Sequence, residues 1–295
     1  MTRGASRAHR RGHVEPRAAA KRGLSSFRKI ALGTWRTTKD PSVYGAMDVD
    51  VDAALAYIDA FRAATGRRLT LTHLVAKTFG EIYREVPDAN AVLRLGGIWL
   101  RDEAAVFFQV VMEDPVTGQV DLSGLTIRRP EEKSLLQIVD EFEEAAKKVR
   151  AGKDAEKEST RQTFKRLPGW MAGWVLDLTS FLLYELNLDL RSVGLPRDAF
   201  GSAMVTNIGS IGLSEAYVPL VPYSHVPLLV AMGEVRREFA PDDEGEPRVV
   251  RRMKLCATFD HRILDGAHMA RIAKVLRGCF ARPEEHFGPI PAPAT

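Results

Sequence analysis

The sequence predicts an α/β fold, a mixed sheet covered by helices on at least one face. Three observations carry this. Runs with strand character and segments with helical apolar spacing alternate along the chain instead of being segregated. No internal repeat breaks the 295 residues into modules, and a 45% hydrophobic content is enough for one large core.

Taken in order, Val43 to Val51 alternates as a strand, and Asp52 is placed to cap a helix that runs through Ala64 and stops at Gly66. Thr70 or Thr72 starts a second helix, whose Leu74, Val75, Phe79 and Ile82 share one face up to Pro87. Ala91 to Leu95 and Ile98 to Arg101 flank Gly96-Gly97, a dipeptide suited to a tight hairpin. Ala104 to Met112 and Val120 to Ile127 are strands joined by a turn at Asp114-Pro115 and Gly118. Ser134 to Arg150 is an amphipathic helix with Glu143/Lys147 and Glu144/Lys148 on its wet side. Residues 200–239 return to strand character, and Ala240 to Pro247 is an acidic hairpin loop.

The stretch Ala257 to Ala267 joins the last apolar strand to a helix carrying Ile272, Ala273, Val275, Leu276 and Cys279. His261, Asp265 and Gly266 fall on that junction, where side chains are held rigidly and still reach a ligand. A capped helix start accounts for Asp265 and Gly266 but leaves His261 unexplained. As a candidate, His261 is suited to general-base work because an unperturbed imidazole titrates near neutral pH.

Charge is unevenly spread. Residues 1–22 hold seven basic groups and one acidic, so the net charge of +4 belongs to the tail and the remainder is acidic by two. Residues 1–23 are therefore expected to be a disordered basic tail, solvated or docking an acidic partner or nucleic acid, and residues 24–295 the folded domain. Cys256 and Cys279 sit in apolar contexts without metal-ligand spacing, which argues for no metal and for a reducing compartment, the cytoplasm.

From Phe27 onward the chain resembles the catalytic domain of the dihydrolipoamide acyltransferases, the core components of 2-oxo acid dehydrogenase complexes. Asp260-His261-Arg262-Ile263-Leu264-Asp265-Gly266-Ala267 is similar to that family's Asp-His-Arg-x-x-Asp-Gly-Ala signature, and Arg28-Lys29-Ile30-Ala31 to its Arg-Lys-x-Ile-Ala segment. Met47 to Leu55, Leu69 to Ala91 (with Lys77, Pro87 and Asn90), Val205 to Gly209 and Leu228 to Gly233 match further segments in order.

The resemblance implies a chloramphenicol-acetyltransferase-like two-layer sandwich and acyl transfer between coenzyme A, as acyl-CoA substrate, and a thiol or small acceptor. It implies His261 as base, with the Thr206 hydroxyl, where the family has serine, holding the oxyanion from a facing chain. Asp265 pairs with Arg28 to steady the histidine loop; Asn207 and Gly266 support the site, and Gly209 and Gly212 shape the turn. The coenzyme-binding residues are left unassigned. A homotrimer or a larger cage of trimers follows from a site that needs two chains. His225 stands near where the family often has glutamine and reads as a packed or surface histidine.

Two departures stand out. No lipoyl domain accompanies the catalytic region in this sequence, so a lipoyl-bearing protein or dehydrogenase component is expected in trans. Residues of about 155–199 are inserted, with Trp170, Trp174, Phe181 and Tyr184 at helical spacing and Asp177, Glu185 and Asp189 interrupting them, a poor membrane span. The insertion packs on its own domain, forms an oligomer contact, or walls an acceptor channel. A non-catalytic scaffold and a tail-mediated nucleic-acid binder are the alternative functions.

Overall fold

The computed structural model describes residues 40–113, 120–150, 169–193, 195–241 and 244–291. The basic tail, Arg28 and the turn at 114–119 lie outside the described residues.

Strand β1 (Ser42–Asp50) leads into helix α1 (Asp52–Thr65), which ends where Gly66 takes a left-handed φ of 68°. Asp52 does not cap this helix as expected. It occupies the first helical position, and its carboxylate accepts Arg251 N at 3.0 Å and Arg251 Nε at 2.5 Å. Helix α2 (Leu71–Glu85) starts at Thr70, whose backbone N–H donates to His73 Nδ1 at 2.9 Å in a reciprocal capping box. Its face of Leu74, Val75, Phe79 and Ile82 is fully buried.

Strands β2 (Ala91–Arg94) and β3 (Gly97–Leu100) form a separate hairpin. Its turn is Leu95-Gly96, not Gly96-Gly97: φ is 47° and 74° at these two, the paired positive values that a two-residue hairpin turn needs. Strands β4 (Ala105–Glu113) and β5 (Val120–Arg128) pair antiparallel and lead to α3 (Leu135–Arg150), where Ser134 Oγ accepts Gln137 N at 3.3 Å and Gln137 Oε1 accepts Ser134 N at 2.8 Å. On its wet side Glu144 pairs with Lys148 at 2.6 Å, whereas Glu143 turns to Arg67 at 3.3 Å.

Within the inserted segment lies α4 (Gly169–Ser180), continued by a wider turn over Phe181–Glu185. Then come β6 (Ala203–Asn207), β7 (Leu228–Pro241), β8 (Pro247–Asp260), α5 (Gly266–Ala281) and α6 (Pro283–Phe287). Strands β7 and β8 pair as far as Pro241 opposite Pro247, so the loop between them is shorter than expected.

The six-stranded sheet runs β1-β8-β7-β6-β4-β5, with β6 parallel to both neighbours and the other pairs antiparallel. Alternation along the strands sorts two faces. Val106, Phe108, Val205, Leu228, Val230, Leu255 and Phe259 pack with the helices in the main core. On the other face Phe107, Met204 and Leu229 meet Phe200, Val218, Leu220 and Val221, while Ile208, Ala231 and Cys256 form a smaller patch. This is the expected mixed α/β sandwich. Burying Leu74, Ile138 and Ile127 at 0% exposure is worth about 2 kcal/mol each before entropy is counted.

Lys77 ties the second layer together. Its ammonium donates to the carbonyls of Pro130, Glu131 and Lys133 at 3.0, 3.2 and 2.6 Å, clamping the loop before α3 onto α2.

Candidate active site

Strand β8 delivers His261. Asp260, the last strand residue, is held from both flanks, its N–H donating to Pro227 O and that of His261 to Pro41 O, each at 2.9 Å. The chain then turns tightly around Asp260, whose carbonyl accepts Ile263 N at 3.0 Å and Leu264 N at 2.9 Å. Its nearly buried carboxylate accepts Arg262 N at 2.9 Å and is forked by Arg262 Nε at 2.9 Å and Nη2 at 2.6 Å. Ile263 and Leu264 anchor the turn in the core. The outcome is an exposed His261 on a rigid base, with Phe259 as the ring contact at 6.3 Å between centroids. No described residue hydrogen-bonds the imidazole at either ring nitrogen.

Asp265 is the N-cap of α5. Its carboxylate accepts Ala267 N at 2.9 Å and His268 N at 3.0 Å, and these N–H donors, His268 first, hold its pKa below the usual carboxylate value. The candidate partner Arg28 lies outside the described residues. Gly266 has open space where a Cβ would stand and no left-handed φ, so the chain itself does not demand glycine there.

His268 is a residue that sequence reasoning missed. Its Nδ1 lies 2.8 Å from Asp265 Oδ1 and its Nε2 3.1 Å from Asp88 Oδ2, bridging the start of α5 to the Pro87–Asn90 turn. The Asp-x-x-His spacing at a helix start was the available signal.

Thr206 lies in β6, half-buried, and alternation with Val205 turns it to the face away from the helices. No described residue hydrogen-bonds its hydroxyl. Asn207 shapes the following turn: Oδ1 accepts Ser210 N at 3.1 Å, and Nδ2 donates to Thr72 Oγ1 at 3.3 Å. Gly212 closes that turn at a φ of 79°, and Gly209 lets it rest on β7, since a Cβ there would come 2.6 Å from Gly233 O.

The structure does not bring His261 and Thr206 together within one chain. Thr206 pairs with Ala231, and Ala231 with Cys256, so His261 is five residues farther along β8 and two strands across. That is about 16 Å along the sheet and about 10 Å across it.

His225 is packed. Its Nε2 lies 2.5 Å from Ser180 Oγ, its ring stacks on Tyr184 at 4.1 Å, and burial lowers its pKa. Glu81, Cys279 and His286 converge within 4.8 Å, where Glu81 accepts from the thiol at 3.5 Å and lies 2.8 Å from His286 Nδ1, while the buried His286 Nε2 has no partner among the described residues. Burial pushes the Cys279 thiol up to about 12. Among the described residues no helix is long and apolar enough to cross a membrane.

The family model for the 2-oxoacid dehydrogenases acyltransferase catalytic domain matches residues 23–165 and 197–287. The unmatched stretch between them contains α4, close to the expected insertion. The chain is 25% identical over 241 residues to the dihydrolipoyllysine-residue acetyltransferase component of the pyruvate dehydrogenase complex of Azotobacter vinelandii, covering 78% of this chain and 30% of that protein. It is 24% identical over 249 residues to the lipoamide acyltransferase component of the branched-chain alpha-keto acid dehydrogenase complex of Bacillus subtilis, covering 82% and 48%. It thus spans less than half the length of these curated relatives. The cubic core of a pyruvate dehydrogenase multienzyme complex superposes with a TM-score of 0.61 at 19% identity, over 91% of this chain and 93% of that one, a shared fold. With the family model matching the chain on both sides of α4 and the signature placed on the exposed turn after β8, the chain belongs to the family of 2-oxoacid dehydrogenase acyltransferase catalytic domains.

Proposed function

We propose that this chain catalyses acyl transfer from acyl-CoA to a thiol or hydroxyl acceptor at a site shared by two subunits. His261 of one chain acts as base, and Thr206 of a neighbour donates to the oxyanion. The carrying observation is the pair's placement: an exposed imidazole at one end of the sheet and a hydroxyl near the other, neither with a hydrogen-bond partner among the described residues. Head-to-side association of identical chains would unite them, and a homotrimer or a cage of trimers is an assembly of that kind.

The chemistry follows from that pairing. His261 takes the proton of the acceptor S–H or O–H as sulfur or oxygen attacks the thioester carbonyl. The carbonyl oxygen gathers negative charge, which the Thr206 hydroxyl stabilises by donating to it. The carbonyl re-forms, the C–S bond to coenzyme A breaks, and the imidazolium returns its proton to the leaving thiolate. Asp265 serves from a distance by capping α5 and fixing the turn; Asn207 and Gly209 set the position of Thr206. Threonine keeps the donor of the family's serine, with a methyl that restricts its rotamer. Dihydrolipoamide is the acceptor favoured by the names of the matched relatives.

The test is thiol release from a panel of acyl-CoA compounds with dihydrolipoamide and small hydroxyl acceptors, run beside His261→Ala. Turnover that falls by about 10² to 10⁴ in the variant is expected. No turnover for any pair from an assembled protein would leave a structural core, and equal turnover in the variant would remove His261 as base.

A further inference from the structure

Within the stretch left unmatched by the family model, Leu183, Tyr184, Asn187, Arg191 and Pro196 form one wall of a cleft of about 590 Å³. Arg94, Trp99 and Leu100 of the β2–β3 hairpin stand on the other. The floor is rigid. Tyr184 donates to Asp198 Oδ1 at 3.2 Å, Arg101 Nε donates to Asp198 Oδ2 at 3.0 Å, and Arg101 Nη2 reaches His225 O at 3.0 Å. The wall is pinned to it by Ser180 on His225 and by Arg94 Nε, which donates to Glu185 O at 3.0 Å.

We propose that this cleft binds a small organic anion, a carboxylate or phosphate group carried on a flat aromatic or apolar body. Five arginines line it against three carboxylates. Arg101 is consumed by the floor, Arg128 by Glu103 at 3.0 Å, and Arg191 by Asp189. Arg94 has no carboxylate partner among the described residues, and Arg197 meets only the exposed Asp102 at 3.4 Å. Two guanidiniums therefore remain to fork an incoming oxyanion. The flat body has its own surface. Trp99 is 53% exposed, its indole N–H is tied to Arg94 O at 3.1 Å, and Arg94 lies over its ring at 5.4 Å, an arrangement that holds the ring still for stacking. A concave site with hydrogen-bonded walls, an aromatic surface and convergent polar groups is what small-ligand sites share, and the charge-rich lining here suits an anion.

The cleft is separate from the proposed transfer site, although Arg101 and His225 lead into β4 and β7 at the end of the sheet where His261 stands. Its test needs no turnover. Trp fluorescence and calorimetry on the full chain would compare 3′,5′-ADP, 3-phenylpropionate, inorganic phosphate and acetate. At least one aromatic anion is expected to bind about tenfold or more tightly than phosphate or acetate. Preference for 3′,5′-ADP assigns a nucleotide phosphate, and preference for 3-phenylpropionate a carboxylate. Arg197→Ala and Trp99→Ala, each with an unchanged melting temperature, should weaken binding about tenfold, whereas His261→Ala should leave it intact. Aromatic anions that bind no better than phosphate, or binding indifferent to both cleft variants or lost in His261→Ala, would overturn the assignment.

Discussion

His261 and Thr206 belong to one sheet and stand apart on it: from Cys256, the register partner of Ala231 beside Thr206, β8 runs on to Asp260 before the turn presents the imidazole. Subunit mixing reads this directly. His261→Ala and Thr206→Val chains are each expected to be crippled, the second by about 10² or more if its hydroxyl is the oxyanion donor. Co-expressed, they should recover about one quarter of the wild-type rate, because random assembly leaves one site in four with both groups intact. Absence of recovery in mixed oligomers would place the chemistry inside a single chain.

The Asp260–Arg262 fork sets the aim of His261. Asp260→Asn keeps an acceptor for Arg262 N but removes the charge opposing the guanidinium, in a side chain only 9% exposed. A small displacement of the imidazole is then expected to lower kcat by about 10 to 10² while KM moves less. Arg262→Ala should do less, since the bond from Arg262 N to Asp260 Oδ1 survives. A proportional rise in KM instead would mean that the fork serves binding and not positioning.

What was legible in the sequence is what local pattern encodes. The strand into His261, the stop at Gly66 and the cap at Thr70 each depend on a few adjacent residues. What was not legible depends on partners far along the chain. Asp52 reads as a cap until Arg251 is seen to claim its carboxylate. The hairpin turn moves to Leu95-Gly96 in a structure where the Leu95 N–H donates to Glu185, a residue of the insertion. His268 looks like an ordinary helix residue until Asp88 arrives beside it. At the site, the histidine could be read from its motif, but the distance to Thr206 needed the strand order.

Two glycines of the site should answer oppositely to alanine. A Cβ on Gly209 would meet Gly233 O at 2.6 Å and Glu234 N at 2.7 Å, backbone atoms of β7 that cannot step aside. Gly209→Ala should cost about 1 to 3 kcal/mol and shift the turn that follows Thr206, lowering both melting temperature and rate. Gly266→Ala puts a methyl into open space at the first position of α5, where alanine is the better helix former. Its melting temperature should hold or rise, and a loss of rate without a loss of stability would show that a substrate or neighbouring chain fills that space. A fall in stability would show that the α5 start is tighter than its geometry indicates.

His73 makes the fold sensitive to mild acid. Its ring is buried against Phe142 at 4.5 Å and its Nδ1 accepts the Thr70 N–H, so the neutral form is required; burial first, then Arg62 and Arg68, lowers its pKa to about 4. An unfolded chain titrates the same ring near 6.5. Between these values the unfolded state gains a proton that the folded state refuses, so stability is full above about pH 6.5 and falls as the pH drops toward 4. The slope is about 1.4 kcal/mol per pH unit, roughly 3 kcal/mol at most over the whole window. His73→Gln keeps a side chain that completes a capping box and removes the titration. Urea unfolding at pH 7, 5.5 and 4.5 should therefore show a shallower loss for the variant than for the wild type. Parallel losses would mean that the ring charges in the folded state without cost, with the Thr70 cap broken and the imidazole turned out to water.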